Sequence, residues 1–225
     1  SGKAFNTIPP NDIGFYELLN ELVQEQLEAI LATGAIPIAI GGDHSLCIPG
    51  ARALSEHLGP SKRMGYLQID AHLDAGVDIG GELQTNCNGL IRATELPNLS
   101  VENMAVIGIR GTINVRDWWD AVRERDIPVY PMSQVRRDGV EETVAGVLDR
   151  VWDGVDAVYV TFDTDSIDSA FAPTANVWSG PQAPSTVVVL AVERLRVPSV
   201  GSRSTRPRGT ESAAASATHE IRACS

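Results

Sequence analysis

The sequence predicts an α/β protein with a central parallel sheet and helices on both of its faces. Short apolar runs alternate with segments of helical spacing, and glycines or polar residues separate them. This alternation is typical of parallel strands joined by right-handed crossovers. Three runs are followed directly by acidic and histidine-bearing segments, GGDHS at residues 41–45, DAHLD at 70–74 and DTD at 163–165. In parallel sheets ligands bind beyond the carboxyl ends of the strands, so the predicted fold would bring these segments together.

The first half of the chain predicts helix, strand, helix and strand in that order. Residues 15–32 carry apolar positions at helical spacing and end before Gly34, a common helix stop. Residues 35–40 are continuously apolar, as expected of a central strand that is covered on both faces. Residues 48–58 predict a second helix, and residues 64–69 predict a second strand that ends at DAHLD.

The same alternation of predicted strands and helices continues through the second half of the chain. A strand at residues 105–109 precedes a helix around residues 118–119, and a strand at 127–130 precedes a helix from about residue 139 to 151. A last strand at residues 157–162 leads into DTD. Strands that alternate with helices at this spacing indicate repeated strand–helix–strand units, which supports the parallel sheet.

Composition favours one globular domain and argues against some partners. The 225 residues suffice for one domain with a large core, and 43% of them are hydrophobic and 21% charged. A net charge of −11 with a pI near 4.7 disfavours nucleic acid and anionic membranes as partners, because both attract basic surfaces.

Cysteine usage and the chain start favour a cytoplasmic protein. The three cysteines are odd in number and have no CxxC spacing, so the sequence predicts neither a disulfide framework nor a thiolate zinc site. The polar start does not match a secretory signal, and the apolar run at residues 187–192 is too short to span a bilayer. We therefore expect a reducing compartment.

The three polar segments together predict a binuclear metal site. Alternate residues of an extended segment point the same way, which aligns the side chains within DAHLD and within DTD. Carboxylates and imidazoles suit divalent Mn, Zn, Fe or Ni, and two dications need several anionic ligands. The candidate ligands are His44, Asp70, His72, Asp74, Asp163 and Asp165.

Each segment alone also has an ordinary structural explanation. GGDHS fits a glycine turn in which Asp43 caps the following helix, and the other two segments fit solvated acidic loops. A metal site explains the three segments together better than three separate structural roles do. Burying five or six ionisable groups at the ends of apolar strands costs several kcal/mol each unless something, such as a pair of cations, neutralises them.

These segments resemble the hallmark segments of the ureohydrolase family of arginase, agmatinase and guanidinobutyrase, which are GGDHS, DAHxD and SxDxDxxDPxxAP. The resemblance covers most of residues 30–173. It implies a three-layer α/β/α arginase-like fold with two Mn2+ ions, and the ligand types also permit Ni2+. It implies that one ion is held by His44, Asp70, Asp74 and Asp163, and the other by Asp70, His72, Asp163 and Asp165.

The resemblance also implies an activity. It implies hydrolysis of a linear, agmatine-like guanidino compound to urea and an amine by a metal-bridging hydroxide, with Asp74 orienting the nucleophile. A small cationic substrate would suit the acidic cleft. A homo-oligomer is expected if the fold is complete. Two alternatives stay open: an inactive remnant of the same fold that binds metal or a partner chain, and a deacetylase, whose ligand pattern matches less well.

The sequence departs from the family pattern in two regions. Residues 85–89 read TNCNG, without the proton-shuttle histidine found there in many members, so we expect Asn86 or Asn88 to bind substrate instead. From residue 174 onward there is no Asp and no Lys, with six Arg, three Glu and many small residues. We predict a partial arginase-like metallohydrolase domain over residues 1–173, incomplete at both ends, and a disordered tail over 174–225. A translated frame shift or an ordinary flexible tail would explain the change.

Overall fold

The computed structural model describes residues 15–168, residue 171 and residues 187–193, with side chains for 16–168 and 171. The helices are α1 (Phe15–Leu31), α2 (Cys47–Leu58), α3 (Gly89–Ala93), α4 (Arg116–Glu124), α5 (Met132–Asp138) and α6 (Val140–Val151). The strands are β1 (Ile38–Ile40), β2 (Met64–Ile69), β3 (Leu99–Ile107), β4 (Val129–Tyr130), β5 (Ala157–Asp163) and β6 (Val187–Glu193). In this part of the chain, no helix has both the length and the apolar character needed to cross a membrane.

Most predicted elements are present, but some differ in bounds or position. The strand predicted at residues 35–40 as central and covered on both faces is β1, which has three residues, comes last in the order of described strands and leaves Ile38 and Ile40 exposed. The strand predicted at residues 105–109 is β3, and it begins earlier, at Leu99. Its first four residues are only partly covered or exposed, so they lack the continuous apolar character that marks the buried second half. The short helices α3 and α5 were not predicted, because five and seven residues are too few to establish a helical period.

The strands form one sheet in the order β1-β6-β5-β2-β3-β4. Strands β5, β2, β3 and β4 are parallel neighbours, as predicted. Strand β6 was not predicted, and it departs from the expected parallel sheet because it runs antiparallel to both β5 and β1. A parallel connection needs a crossover, usually a helix. Residues 174–186, which include Gly180, Pro181 and Pro184, show no helical period.

Helices cover both faces of the sheet, which gives the expected three layers. On one face, residues of α1 and α2 pack with Tyr66 and Tyr159, whose rings stack between neighbouring strands with centroids 5.6 Å apart. On the other face, residues of α5 and α6 pack against Leu67 and Val158. Tyr66 and Leu67 are consecutive and both buried, so β2 is covered on its two faces, as expected of a central parallel strand.

One strand lies in the segment that the sequence predicted to be a disordered tail. Residues 187–193 form β6, in the same compact unit of residues 1–194 as the other elements. The prediction of disorder is therefore wrong for these seven residues. The rest of residues 174–225 lies outside the described residues, and the predicted domain boundary near residue 173 stays a prediction.

Candidate metal centre

The carboxyl ends of β1, β2 and β5 carry the three polar segments. Strands β2 and β5 are paired in register up to Ile69 and Phe162, so the residues that follow, Asp70 and Asp163, are neighbours at the same sheet edge. The first segment follows β1 and leads into a short 3-10 turn at residues 44–46. The topology therefore brings the segments together as the sequence predicted.

The turn after β1 separates the roles of its two polar residues. Asp43 is the cap of the 3-10 turn, and its side chain accepts a hydrogen bond from the backbone N–H of Ser45 at 3.0 Å. Tyr16 donates to the other carboxylate oxygen at 3.3 Å. The structural explanation therefore applies to Asp43, and it leaves His44 free to face the other segments.

The first group of candidate ligands is built around His44. Its Nδ1 lies 3.1 Å from Oδ2 of Asp70, 3.7 Å from Oδ2 of Asp163 and 2.6 Å from Oδ2 of Asp74. One ligand atom each from His44, Asp70 and Asp163 lies within 4.8 Å of the others. This is the spacing of side chains that could share one cation.

The second group is built around His72 and shares Asp70 with the first. Nδ1 of His72 lies 2.9 Å from Oδ2 of Asp165 and 3.8 Å from Oδ1 of Asp70. One ligand atom each from the three residues lies within 4.8 Å of the others. The two oxygens of Asp70 thus face different groups, which is the arrangement that a bridging carboxylate requires.

Burial makes these groups costly to charge without a counterion. Burial, reinforced by neighbouring carboxylates, raises the pKa of Asp70 to about 6 and that of Asp163 to about 7. Burial also raises the pKa of Asp74. Burial lowers the pKa of both histidines, but their neighbours outweigh it. Cys47 and the carboxylates of Asp70 and Asp74 raise the pKa of His44 well above its ordinary value, and the neighbouring carboxylates, chiefly Asp165, raise that of His72 to about 9.

Two buried side chains inside the strands orient the candidate ligands. Gln68 donates from Nε2 to Oδ2 of Asp70 at 2.8 Å. Oγ1 of Thr161 lies 3.0 Å from Nε2 of His44, on the ring edge opposite the carboxylates. Each of the two lies two residues before an aspartate of the site and therefore on the same face of its strand. Such partners are known to fix ring orientation and ligand basicity in metal sites.

Close backbone packing also shapes the centre. Asp74 has a positive φ of 46°, a left-handed conformation that costs free energy in a residue with a side chain and is often found at functional sites. Gly108 has a φ of 105°, and a Cβ there would lie 2.9 Å from the carbonyl oxygen of Asp70. A glycine therefore fits where β3 passes the end of β2.

The two asparagines predicted to bind substrate have different environments. Asn88 is fully buried: its Oδ1 accepts from the backbone and hydroxyl of Thr85 at 2.8 and 2.7 Å, and its Nδ2 donates to the carbonyl of Gly76 at 2.7 Å. It thus holds its own loop together. Asn86 is exposed. Of the pair, only Asn86 is exposed to solvent.

Burial disfavours the thiolate form of the two cysteines near the segments. Cys47 is buried, and burial raises the pKa of its thiol to about 12. The pKa of Cys87 is raised to about 12 for the same reason. Both therefore stay protonated at neutral pH, as expected of packing residues.

The donor set fits a pair of hard or borderline dications. It consists of carboxylate oxygens and imidazole nitrogens, which suit Mn2+ and similar ions. Oδ1 of Asp165 is buried and has no hydrogen-bond partner in the described part of the chain. A buried carboxylate oxygen without a partner is costly, and a cation beside it would remove that cost.

Several supporting residues were not predicted as part of the site. Gln68 and Thr161 lie inside apolar strands, and a polar residue two positions before a ligand was the available signal. Asn114 contacts the backbone beside His72, since its Oδ1 accepts from the N–H of Leu73 at 2.8 Å, but it gave no signal because it lies in a loop outside the three segments. The guanidinium of Arg110, in the same loop, donates to backbone carbonyls at residues 165–167.

Known proteins of one family resemble this chain in sequence and in fold. The chain is 27% identical to the guanidinobutyrase of Pseudomonas aeruginosa over 175 residues, which is 78% of this chain and 52% of that protein. It is 34% identical to the agmatinase of Enterobacter sp. over 161 residues, covering 69% of this chain and 46% of that protein. The chain thus spans about half the length of these relatives.

Solved structures with the same fold include the formimidoylglutamase of Bacillus subtilis, with a TM-score of 0.65 and 22% identity over 74% of this chain and 50% of that one. Another is a variant of the Trypanosoma cruzi formiminoglutamase with Mn2+, with a TM-score of 0.59 and 20% identity over 68% and 50% of the two chains. The sequence model described as "Arginase family" matches residues 5–196, and the chain therefore belongs to the arginase family.

Proposed function

We propose that the protein is a metal-dependent amidinohydrolase that converts a linear, agmatine-like guanidino compound to urea and an amine. The observation that carries this proposal is the pair of buried ligand groups that share Asp70 at the carboxyl ends of adjacent strands. The agmatinase and guanidinobutyrase among the relatives support the reaction class.

In this proposal two Mn2+ ions bind at the centre, and Ni2+ is compatible with the same donors. His44, Asp70, Asp74 and Asp163 would hold the first ion, and Asp70, His72, Asp163 and Asp165 the second. The Mn2+ in the Trypanosoma cruzi structure supports the choice of metal. When bound, such a pair supplies a nucleophilic hydroxide at neutral pH and neutralises the buried carboxylates.

The protein's own residues would orient both reactants. Thr161 would accept a hydrogen bond from Nε2 of His44, which leaves Nδ1 as the ligand atom. The carboxylate of Asp74 would accept a hydrogen bond from the attacking water and aim it at the guanidinium carbon. The concentration of negative charge would favour a cationic substrate over a neutral one.

Departure of the amine requires a proton, and the loop at residues 85–89 contains no histidine to supply it. An asparagine side chain cannot deliver a proton at neutral pH, so we propose that water does so. Of the two candidates for substrate binding, Asn86 is the better placed, because it is exposed whereas Asn88 is buried in its own loop.

A urea assay tests the reaction. The Mn2+-loaded protein is incubated with agmatine, 4-guanidinobutyrate and arginine, and urea is measured. We expect urea from at least one of them and none with an Asp165→Asn variant. Absence of urea at high protein concentration, with both ions bound, would rule out the proposed activity.

A second candidate is a metal-binding member of the fold without hydrolytic activity. The chain carries asparagine where many members have the proton-shuttle histidine, and this observation favours the alternative. Binding of two ions without urea from any of the three guanidines would select it. Urea formation that Asp165→Asn abolishes would exclude it.

A further inference from the structure

The loop after β3 supplies none of the six candidate ligands, yet it contacts two of the three ligand-bearing segments. Two of its residues, Arg110 and Asn114, make these contacts, and we call this pair the brace. The two are joined, since Nδ2 of Asn114 donates to the carbonyl oxygen of Arg110 at 2.9 Å. Their other hydrogen bonds go to the segments that follow β2 and β5.

Arg110 holds the segment that contains Asp165. Its guanidinium donates to the carbonyl oxygens of Asp165 at 2.8 Å, Ser166 at 2.9 Å and Ile167 at 3.2 Å. Three donors in a rigid planar fork fix the path of three consecutive peptide units. Arg110 therefore helps to set the direction in which the Asp165 side chain leaves the backbone, together with Asp163, whose Oδ1 accepts from the backbone N–H of Asp165 at 2.9 Å.

Asn114 holds the segment that contains His72. Its Oδ1 accepts from the backbone N–H of Leu73 at 2.8 Å, and its Nδ2 donates to the carbonyl oxygen of Ala71 at 3.1 Å. These contacts lie on the residues directly before and after His72. The backbone N–H of Arg110 also donates to the carbonyl oxygen of Ala71, at 3.0 Å.

The two braced side chains belong to the same ligand group. His72 and Asp165 are the members of the second group that the first group does not share, and they lie 2.9 Å apart. His44, the histidine of the first group, is positioned differently, by the turn that Asp43 caps and by Thr161. The hydrogen bonds of the brace thus lie at Asp165 and on both sides of His72, the two ligands that only the second group contains, and none of these bonds reaches the turn that holds His44. Leu73 also directly precedes Asp74, so the brace has one contact beside a ligand of the first position.

We propose that Arg110 and Asn114 are positioning residues for the second metal position. Each sets the direction of one ligand, and their mutual hydrogen bond couples the two. Loss of the brace therefore weakens the second ion selectively and leaves the first. This inference rests on the proposed binuclear centre.

Mn2+ titration calorimetry of the full chain tests the proposal, with Arg110→Ala and Asn114→Ala as the variants. We expect two binding steps in the unaltered protein. In each variant, one step weakens by about 10- to 100-fold, the range known for outer hydrogen-bond partners of metal ligands, and the other changes by less than about threefold. Electron paramagnetic resonance gives a second readout, because loss of one ion replaces the signal of a coupled Mn2+ pair with that of isolated Mn2+.

The His72→Ala background identifies which position is affected. This variant lacks a ligand of the second position only, so its remaining ion reports the first position. Adding Arg110→Ala to it should leave the affinity of that ion unchanged. Further weakening of that ion, or equal weakening of both ions in the single variants, would overturn the proposal.

Two controls separate positioning from charge and from general destabilisation. Arg123→Ala removes the same charge from α4, where Arg123 contacts Asp120 and Trp119, and should leave both steps unchanged. Arg110→Lys keeps the charge but not the fork and should still weaken one step; full retention of both steps would contradict the geometric role. Circular dichroism of the metal-free variants confirms that each is folded. A failure of the unaltered protein to bind two ions would instead refute the binuclear centre itself.

Discussion

Asp70 is the residue on which both candidate metal positions depend. Its Oδ2 faces His44 at 3.1 Å and its Oδ1 faces His72 at 3.8 Å, and Gln68 holds the carboxylate from inside β2. Asp165, in contrast, belongs to one group only. The two aspartates should therefore respond differently to the same chemical change.

Replacing each of these aspartates with asparagine keeps its size and removes one ligand charge. We expect Asp70→Asn to abolish binding of both Mn2+ ions, and Asp165→Asn to weaken only one of them, by at least about 100-fold. Elemental analysis after equilibrium dialysis measures this as ions per chain. Asp43→Asn is the matched control, since Asp43 caps the adjacent turn, and should retain both ions. Retention of both ions by Asp70→Asn would contradict the shared role.

Protons compete with metal for the same oxygens. In the metal-free protein the pKa of Asp70 is raised to about 6 and that of Asp163 to about 7, whereas aspartates in the unfolded chain titrate near pH 4. The folded state therefore binds more protons than the unfolded state between about pH 4 and 7. These groups make the metal-free fold less stable as pH rises through that window.

A bound dication displaces these protons, so its affinity should rise with pH. We expect Mn2+ to raise the melting temperature more at pH 8 than at pH 5.5, because both carboxylates are ionised at the higher pH. Differential scanning calorimetry with and without Mn2+ at the two pH values measures the difference. A larger shift at pH 5.5 than at pH 8 would contradict this interpretation.

At the residue scale, spacing predicted which side chains converge but not how they are supported. The position of the three segments after predicted parallel strands was enough to predict that His44, Asp70 and Asp163 meet at one edge of the sheet. Their roles as metal ligands stay a prediction. The environments of Asn86 and Asn88 could not be predicted, because Asn88 is buried by hydrogen bonds to Thr85 and Gly76 that depend on the loop's path.

Helix α2 anchors one layer of the molecule through a fully buried side chain. Leu54 has no exposed surface, whereas Leu18 on α1 is 56% exposed. We expect Leu54→Ala to lower the free energy of unfolding by about 2–5 kcal/mol through lost burial and the cavity that it leaves. Leu18→Ala, the same change at an exposed position, should cost less than about 1 kcal/mol. Urea denaturation of the metal-free protein compares the two, and equal effects would contradict the assigned core.

At the element scale, the sequence predicted the parallel strands of the sheet but not β6. The apolar runs of β2 and β5 are continuous because helices cover both of their faces, so their positions were evident. Strand β6 was not predicted, because its apolar run lies in a segment whose composition favoured disorder, and such a run is compatible with pairing in either direction. The connection before a strand decides its direction, and residues 174–186 gave no helical signal.

At the scale of the whole molecule, metal and fold stability are linked. The centre joins the ends of three strands that are distant in sequence, and the folded state alone assembles it. Free Mn2+ at about 100 times its dissociation constant should stabilise the fold by about 2.7 kcal/mol per site. We expect a chelator to lower the melting temperature and added Mn2+ to restore it. An unchanged melting temperature would show that no site specific to the folded state binds the ion.

The most direct test of the account is a crystal structure of the Mn2+-loaded protein with anomalous scattering data collected at the manganese edge. The account predicts two anomalous peaks roughly 3.5–4 Å apart, with Asp70 contacting both, His44 contacting one and His72 the other. A single peak, or peaks away from the carboxyl ends of β2 and β5, would contradict the binuclear centre.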